Sequence, residues 1–385
     1  MFALVTASIV FAALILWLVC TMWPLDLEIY RFGAQALAHG GDPYGPLPPT
    51  RGGLLLPFIY PPFAAVLFLV FAAIPLPLGA VLMLAVSLTA LCGTVYLVVR
   101  PHTGRRTAVL AAVVLGALSL AFEPVRETLW FGQINLILMA LVAIDCLGPK
   151  TRLPRGVLVG LAAAVKITPA GFLLFFLLKK DIRAAVTTVV TFLAAGLAGF
   201  AIAPEASVKY WFQGGLTGAS GMSGSIFATN QTIQGAIHRF GLPAMPTLAL
   251  VAVLTLAALA CTVPAMLRAD RQMAFLLNAT AILVCSPISW SHHWVWIVPA
   301  TVLFAARATR PVAVFGLAAT VTIFIVAPHA WLPKNGYQEL SWGPVEHVVG
   351  NSYLLLALGF LAWQCFARKP RPAREAVPRA EHAGS

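Results

Sequence analysis

The chain has 385 residues, of which 60% are hydrophobic and 10% are charged, and its formal net charge is +12 at pH 7. Apolar runs long enough to cross a bilayer recur from end to end, which excludes an ordinary soluble domain. The Lys and Arg residues collect in short connectors between these runs, as the positive-inside rule requires, so the charge does not indicate a nucleic-acid partner. The sequence therefore predicts an all-α polytopic membrane protein.

The basic connectors, placed on the cytoplasmic side, predict how the chain crosses the membrane. About ten full spans result, with one re-entrant helix pair and interfacial helices in the first outer loop, residues 21–78. Residues 1–366 then form a single transmembrane domain with cytoplasmic termini, and residues 367–385 form a basic, disordered tail. The predicted full spans are residues 3–20, 79–99, 107–122, 134–147, 184–203, 244–267, 272–288, 293–306, 311–327 and 350–366.

Two apolar segments do not fit as simple spans. Residues 61–75 are short and lie between prolines, so we interpret them as an interfacial or re-entrant helix. Residues 156–178 lie between two basic connectors and must begin and end on the cytoplasmic side, as two half-helices that turn near Lys166 and Pro169. This arrangement predicts one lysine at membrane depth.

Polar residues concentrate in the predicted outer loops, in stretches such as DLEIYRFG, EPVRETLWFGQIN and SPISWSHHW. A transporter would instead place ionisable residues near the bilayer midplane on paired broken helices, and Lys166 alone approaches that pattern. The pattern favours an outward-facing cleft at the cell membrane over a conduction path.

The stretch WPLDLEIYRFG carries two carboxylates directly after the first predicted span. A helix over residues 25–38 places Asp26 and Tyr30 on one face, opposite an apolar face that contains Ile29. Glu28 is the rival carboxylate, because residues two apart on a helix point about 200° away from each other and only one can face a ligand. A solvated interface carboxylate is the simpler interpretation of Asp26.

The pair His292 and His293 lies between Trp290 and Trp294 in a tight outer loop. No further His, Asp or Glu stands at coordinating spacing, so a zinc site is not expected, and hydrogen bonding to a phosphate is favoured. Lys166 stands beside a proline-induced break, where it needs an anion unless it snorkels or pairs with a backbone carbonyl.

Uncharged hydrogen-bonding groups stand in FGQIN and FATNQT, where Gln133, Asn135, Asn230 and Gln231 are of the type that binds sugar hydroxyls. The same side chains also cap helix ends. Tyr60, at the start of YPPF, is either a ligand contact or an interface anchor.

An acidic residue after the first span, followed in order by GGDPY, YPPF, GQIN, KITP, NQTI and SPISWSHHW, resembles glycosyltransferase family 87 from about residue 25 to 300. This family belongs to the GT-C fold group and includes actinobacterial polyprenol-phosphate-mannose-dependent α-mannosyltransferases. The resemblance implies a polyprenyl-phosphate sugar donor, a glycolipid or lipoglycan acceptor on the outer leaflet, membrane lipids as partners, and one catalytic carboxylate in the first loop. Asp26 matches that position.

The implied transfer converts a β-linked sugar phosphate into an α-glycoside, so it inverts the anomeric carbon and needs one base, for which Asp26 is the candidate. The leaving phosphate needs cationic or hydrogen-bonding stabilisation, but neither an obligatory metal nor a cofactor is expected. The residues assigned to substrate binding are Tyr30, Tyr60, Arg126, Gln133, Asn135, Lys166, Asn230, Gln231, Trp290, His292 and His293. An arabinofuranosyltransferase, a polyprenyl-linked glycan transporter and a non-catalytic scaffold are the alternatives.

Overall fold

The computed structural model describes residues 21–149, 151–218, 225–334 and 336–367. No strand occurs in these ranges, and a single isolated antiparallel bridge joins Asn230 and Trp290. The predicted first span, residues 3–20, and all but the first residue of the predicted tail, residues 367–385, lie outside the described residues. The predicted all-α architecture is confirmed for the part of the chain that is described.

The α-helices, numbered in chain order, form from long apolar runs that are bounded by prolines, glycines and basic connectors. They are α1 Leu25–Ala38, α2 Pro62–Leu67, α3 Leu69–Ala72, α4 Leu76–Val99, α5 Arg105–Leu118, α6 Glu123–Trp130, α7 Asn135–Leu147, α8 Val157–Val165, α9 Leu173–Leu178, α10 Ile182–Ile202, α11 Pro204–Phe212, α12 Gly215–Gly218, α13 Ile233–His238, α14 Ala244–Arg268, α15 Arg271–Cys285, α16 Ile297–Arg307, α17 Pro311–Val326, α18 Pro344–Gly350 and α19 Ser352–Phe366. Short 3₁₀ helices, including Thr168–Phe172 and Ser291–Trp296, connect several of them.

Four helical segments of the described chain are long and apolar enough to cross a membrane: Leu76–His102, Ile182–Ile202, Ala244–Arg268 and Pro311–Trp331. Two bent pairs raise the number to six if each pair is one span: α5 with α6, bent by 87°, and α18 with α19, bent by 72°. Several other predicted crossings correspond to shorter apolar helices, such as α7 and α15. A membrane protein is thus supported, while the count of about ten spans stays a prediction.

The predicted break within residues 156–178 is present. Helix α8 has only nine residues, about 14 Å, and ends where Lys166 adopts an extended conformation (φ −148°, ψ 126°). A 3₁₀ turn begins at Thr168, followed by Pro169, before α9 continues the chain. Helix α8 packs tightly along α10, since a Cβ atom on Gly160 would lie 2.6 Å from the carbonyl oxygen of Thr188. The break therefore presents Lys166 at the end of a firmly packed helix.

The first loop contains α1 with the predicted bounds, but the predicted helix over residues 61–75 is divided into α2 and α3. Helix α1 is not buried on its apolar face alone, because Glu28, Ile29, Tyr30 and Gly33 are all buried. Neighbouring elements enclose it from several sides: the ring of Tyr30 stacks on Phe68 with centroids 4.3 Å apart. This enclosure fixes the direction in which Asp26 points.

Candidate active site

A buried hydrogen-bonded cluster joins α1, the start of α2 and the loop before α7. The hydroxyl of Tyr30 donates to Oε1 of Gln133 at 2.6 Å, and Nε2 of Gln133 donates to the hydroxyl of Tyr60 at 3.1 Å. The two tyrosine hydroxyls are also 3.1 Å apart. The three side chains are at most 5% exposed, so they form a rigid polar wall in an apolar surrounding.

Asp26 stands one helical turn before Tyr30 and adjoins this wall. Its side chain is half-buried, and burial raises the pKa of its carboxyl group from 3.8 to about 6. The positive charge of Lys166 and a hydrogen bond from Gln133 oppose the rise. The carboxyl group of Asp26 and the ammonium group of Lys166 are thus close enough for their charges to interact, and Asp26 can accept a proton near neutral pH.

The ammonium group of Lys166 points into the same region from the break after α8. It donates to Oδ1 of Asn135 at 3.0 Å and lies 3.1 Å from Nε2 of His293. It also lies 5.6 Å from the ring centroid of Tyr60, within the range of a cation–π contact. The hydrogen-bond partners of Lys166 are thus neutral, and Asp26 is the anion near enough to interact with its charge.

The histidine pair is positioned through its backbone as well as its rings. The carbonyl oxygen of His292 accepts hydrogen bonds from Oγ1 of Thr128 at 2.8 Å and from Nδ2 of Asn135 at 3.0 Å. The two imidazole rings are 4.8 Å apart. Burial, followed by the charge of Lys166, lowers the pKa of His292 to about 3, so this imidazole is neutral at physiological pH. Its Nε2 atom is buried and has no hydrogen-bond partner among the residues that the structure describes.

A pocket opens beside Lys166 and His293, between α7, the 3₁₀ turn after α8, and α15. Its walls combine a few polar groups with an apolar majority, as small-molecule sites usually do. The lining residues are Asn135, Leu138, Met139, Lys166, Thr168, Pro169, Phe172, Ala279, Ile282, Leu283, Ser286, Ser289, His293 and Trp296. The pocket thus combines the positively charged Lys166 with largely apolar walls.

The model of glycosyltransferase family 87 matches residues 58–287. The chain belongs to glycosyltransferase family 87. It is 38% identical over 365 residues, covering 88% of this chain and 82% of the relative, to the polyprenol-phosphate-mannose-dependent α-(1-2)-phosphatidylinositol mannoside mannosyltransferase of Mycolicibacterium smegmatis.

Two proteins of Mycobacterium tuberculosis are also similar to this glycosyltransferase. A relative with the same name is 35% identical over 363 residues, covering 89% of this chain and 84% of the relative. A polyprenol-phosphate-mannose-dependent α-(1-2)-phosphatidylinositol pentamannoside mannosyltransferase is 33% identical over 375 residues, covering 91% of this chain and 84% of the relative. The likeness therefore extends over most of both chains.

Glu28, the rival carboxylate of this glycosyltransferase, is engaged elsewhere. It is 2% exposed, and its two oxygens accept hydrogen bonds from the backbone N–H of Arg51 at 2.9 Å and from Nε of Arg51 at 2.8 Å. Both carboxylate oxygens of Glu28 are thus occupied by Arg51. The sequence alone did not decide whether Asp26 or Glu28 faces the site, and the pairing of Glu28 with Arg51 favours Asp26.

Four residues assigned to substrate binding lie outside the cluster. Asn230 and Gln231 are fully buried, and their amides hydrogen bond to the protein, including Ser289 N–H to Asn230 Oδ1 at 3.0 Å and Gln231 Nε2 to the Gly350 carbonyl at 2.6 Å. The backbone of Trp290 pairs with that of Asn230 in the isolated antiparallel β-bridge. Arg126 donates to backbone carbonyls, one of them that of Ile325 at 3.4 Å. In this conformation these side chains join loops and do not face the pocket.

Some residues around the site could not be assigned to it from the sequence. Thr128 holds the His292 carbonyl although 164 positions separate them. Glu123 is buried and accepts a hydrogen bond from the Tyr353 hydroxyl at 3.0 Å. Within the described ranges, no group of three or more His, Cys, Asp or Glu side chains has the arrangement of a metal site.

Proposed function

We propose that this glycosyltransferase has the GT-C fold and transfers mannose from polyprenyl-phosphate mannose to a phosphatidylinositol-mannoside-type glycolipid, with an α-(1-2) linkage. The names of the relatives support mannose over arabinose as the donor sugar, a choice that the sequence motifs left open. The reaction takes place at the outer face of the membrane, where the predicted topology puts the first loop.

The observation that carries the proposal is that Lys166 lies over the ring of Tyr60 and near enough to Asp26 for the two charges to interact. The charges of both groups interact, and Lys166 lies over the Tyr60 ring whose hydroxyl belongs to the polar wall. Transfer from a sugar phosphate needs one base for the attacking hydroxyl and one cationic group for the departing phosphate. Lys166 lines the pocket, and Asp26 lies close enough for the two charges to interact.

Asp26 is the general base in this mechanism. The acceptor hydroxyl oxygen attacks the anomeric carbon, the bond from that carbon to the phosphate oxygen breaks, and the hydroxyl proton passes to the Asp26 carboxylate. A β-linked donor then gives an α-linked product, because one direct displacement inverts the carbon. The pKa of about 6 suits this role, since the carboxylate is ionised at neutral pH yet basic enough to take the proton.

Lys166 and the histidine pair receive the phosphate. The Lys166 ammonium supplies charge, and the neutral imidazoles of His292 and His293 supply ring nitrogens for hydrogen bonds to phosphate oxygens. Asn135 holds Lys166 and the His292 carbonyl with its two amide atoms, so these groups are already oriented before the donor binds. The phosphate leaves on its polyprenyl chain without being protonated.

The direct test is a transfer assay with purified protein in nanodiscs and two radiolabelled donors, polyprenyl-phosphate mannose and polyprenyl-phosphate arabinose. We expect mannose to be incorporated into a phosphatidylinositol mannoside acceptor, and α-mannosidase to release the label. Incorporation of arabinose alone would favour the arabinofuranosyltransferase alternative. Transfer of neither sugar, by protein whose unfolding transition shows that it is folded, would contradict the proposal.

A further inference from the structure

A tight turn in the first loop, residues 50–55, displays one arginine and two leucines. The N–H of Thr50 donates to the carbonyl of Leu54 at 2.9 Å, and the N–H of Leu54 donates to Oγ1 of Thr50 at 3.1 Å. The Arg51 side chain is 61% exposed, and Leu54 and Leu55 are 42% and 75% exposed. The turn is closed by its own hydrogen bonds and nevertheless leaves its charged and apolar side chains uncovered.

Two contacts attach this turn to the start of α1. Arg51 binds the buried Glu28 through its backbone N–H and its Nε. Gly52 lies against Trp23, and a Cβ atom at this position would be 2.2 Å from the indole ring. Trp23 follows the predicted span of residues 3–20 and has the typical position of a tryptophan at a membrane interface. The turn is therefore held at the membrane surface and next to the helix that carries Asp26.

The two terminal amino groups of the Arg51 guanidinium can still donate hydrogen bonds to a ligand. Its Nε is occupied by Glu28, whereas its two terminal amino groups have no hydrogen-bond partner among the described residues. An arginine fork fixed at one edge presents the remaining donors in the planar geometry that binds phosphate oxygens. Exposed leucines beside such a fork complement the hydrocarbon that adjoins the phosphate of a phospholipid.

We propose that Arg51 binds the phosphodiester of the anionic lipid acceptor while Leu54 and Leu55 enter the surrounding acyl region; this inference rests on the proposed function. Glu28 and Asp26 are two positions apart on α1 and point to opposite sides. Arg51 and the base therefore lie on different sides of the start of α1. The acceptor passes around the N-terminal end of α1, with the phosphate at Arg51 on one side and the sugar that carries the accepting hydroxyl at Asp26 on the other.

The test compares two acceptors in neutral phosphatidylcholine nanodiscs: a phosphatidylinositol mannoside and an alkyl mannoside that lacks phosphate. The measured quantity is the ratio of their kcat/KM values, which cancels any general effect of a variant on folding or on α1. We expect the ratio to fall about tenfold in Arg51→Ala and less in Arg51→Lys. Lys209→Ala, which removes an exposed cation paired with Asp42, is the matched control and should keep the ratio. An unchanged ratio in Arg51→Ala, or an equal fall in Lys209→Ala, would overturn the assignment.

Binding is measured separately, by thermophoresis with a fluorescent phosphatidylinositol mannoside and no donor. We expect Kd to be about tenfold higher for Arg51→Ala than for the wild type. Displacement of the probe by phosphatidylglycerol at equal mole fraction would mean that bulk anionic lipid occupies the turn, which also overturns the assignment. If the wild type transfers no sugar but the Kd difference is found, the proposed function fails while the phosphodiester site stands.

Discussion

Lys166 donates a hydrogen bond to Oδ1 of Asn135 at 3.0 Å, and the other end of the same amide donates to the carbonyl of His292. One side chain thereby fixes the lysine at the break after α8 and the 3₁₀ helix that carries both histidines. Asn135 is 8% exposed, so these bonds are shielded from water. The orientation of the groups proposed to bind the phosphate depends on this amide.

Substitution of Asn135 by Asp should weaken donor binding. The carboxylate would still accept from Lys166, but it would neutralise the ammonium and could no longer donate to the His292 carbonyl. We expect KM for the polyprenyl-phosphate donor to rise about tenfold or more, in line with the loss of one to two buried hydrogen bonds. Donor-dependent initial rates measure this change, and an unchanged KM would contradict the role given to Asn135.

Substitution of Lys166 by Met should reduce kcat by about a hundredfold to a thousandfold, because a cation that stabilises the departing phosphate is lost. Lys166→Arg should restore only part of the rate, since the planar guanidinium does not fit contacts made for a compact ammonium group. Lys209→Met is the control for the loss of a positive charge. Equal activity of Lys166→Met and the control would remove Lys166 from the mechanism.

The pH dependence of kcat/KM should show an acid limb with a midpoint of about 6. Burial raises the pKa of Asp26 to that value, and the base must be ionised in order to accept the hydroxyl proton. Activity should therefore fall about tenfold for each pH unit below the midpoint and level off above it. Rates from pH 4.5 to 8 measure the limb, and full activity maintained down to pH 4.5 would contradict a base with this pKa.

Substitution of Tyr30 by Phe should destabilise the polar wall. The change leaves Oε1 of Gln133 with the Ile134 backbone N–H alone as its donor, and we expect a loss of about 1–3 kcal/mol in the free energy of unfolding. Thermal unfolding in detergent measures the difference. A wild-type transition midpoint together with wild-type activity would show that the Tyr30 hydroxyl contributes neither to stability nor to the site.

Asn230→Ala should affect stability and not donor recognition. The Asn230 amide donates to the Ser225 carbonyl at 2.9 Å and accepts from the Ser289 N–H at 3.0 Å, so its removal leaves buried groups without partners. We expect a lower unfolding temperature and an unchanged KM for the donor. A raised KM without loss of stability would return Asn230 to the substrate-binding set.

The sequence could predict features that depend on local pattern. The break at Lys166 follows from one proline in an apolar segment, and the bounds of α1 follow from its periodicity and from the glycine and proline residues beyond it. The family motifs placed Tyr60, Gln133 and the histidine pair in one site, and the structure brings these side chains together.

Other features depend on contacts between distant segments, which a single sequence does not show. Glu28 and Asp26 look equivalent in the sequence, and the pairing with Arg51, 23 positions away, separates them. The amides of Asn230 and Gln231 resemble sugar-binding groups until their burial and their backbone partners are known. Burial decides between ligand binding and structural roles for polar residues of this kind.

The most direct test of the account is the single-turnover rate of Asp26→Asn with saturating polyprenyl-phosphate mannose, measured beside Asp42→Asn. Asp42 is an exposed carboxylate in the same loop and serves as the matched control. We predict that Asp26→Asn binds the donor but transfers mannose about a hundredfold to ten-thousandfold more slowly, while Asp42→Asn stays near the wild-type rate. Transfer by folded Asp26→Asn at the wild-type rate would contradict the central claim that this carboxylate accepts the proton of the attacking hydroxyl.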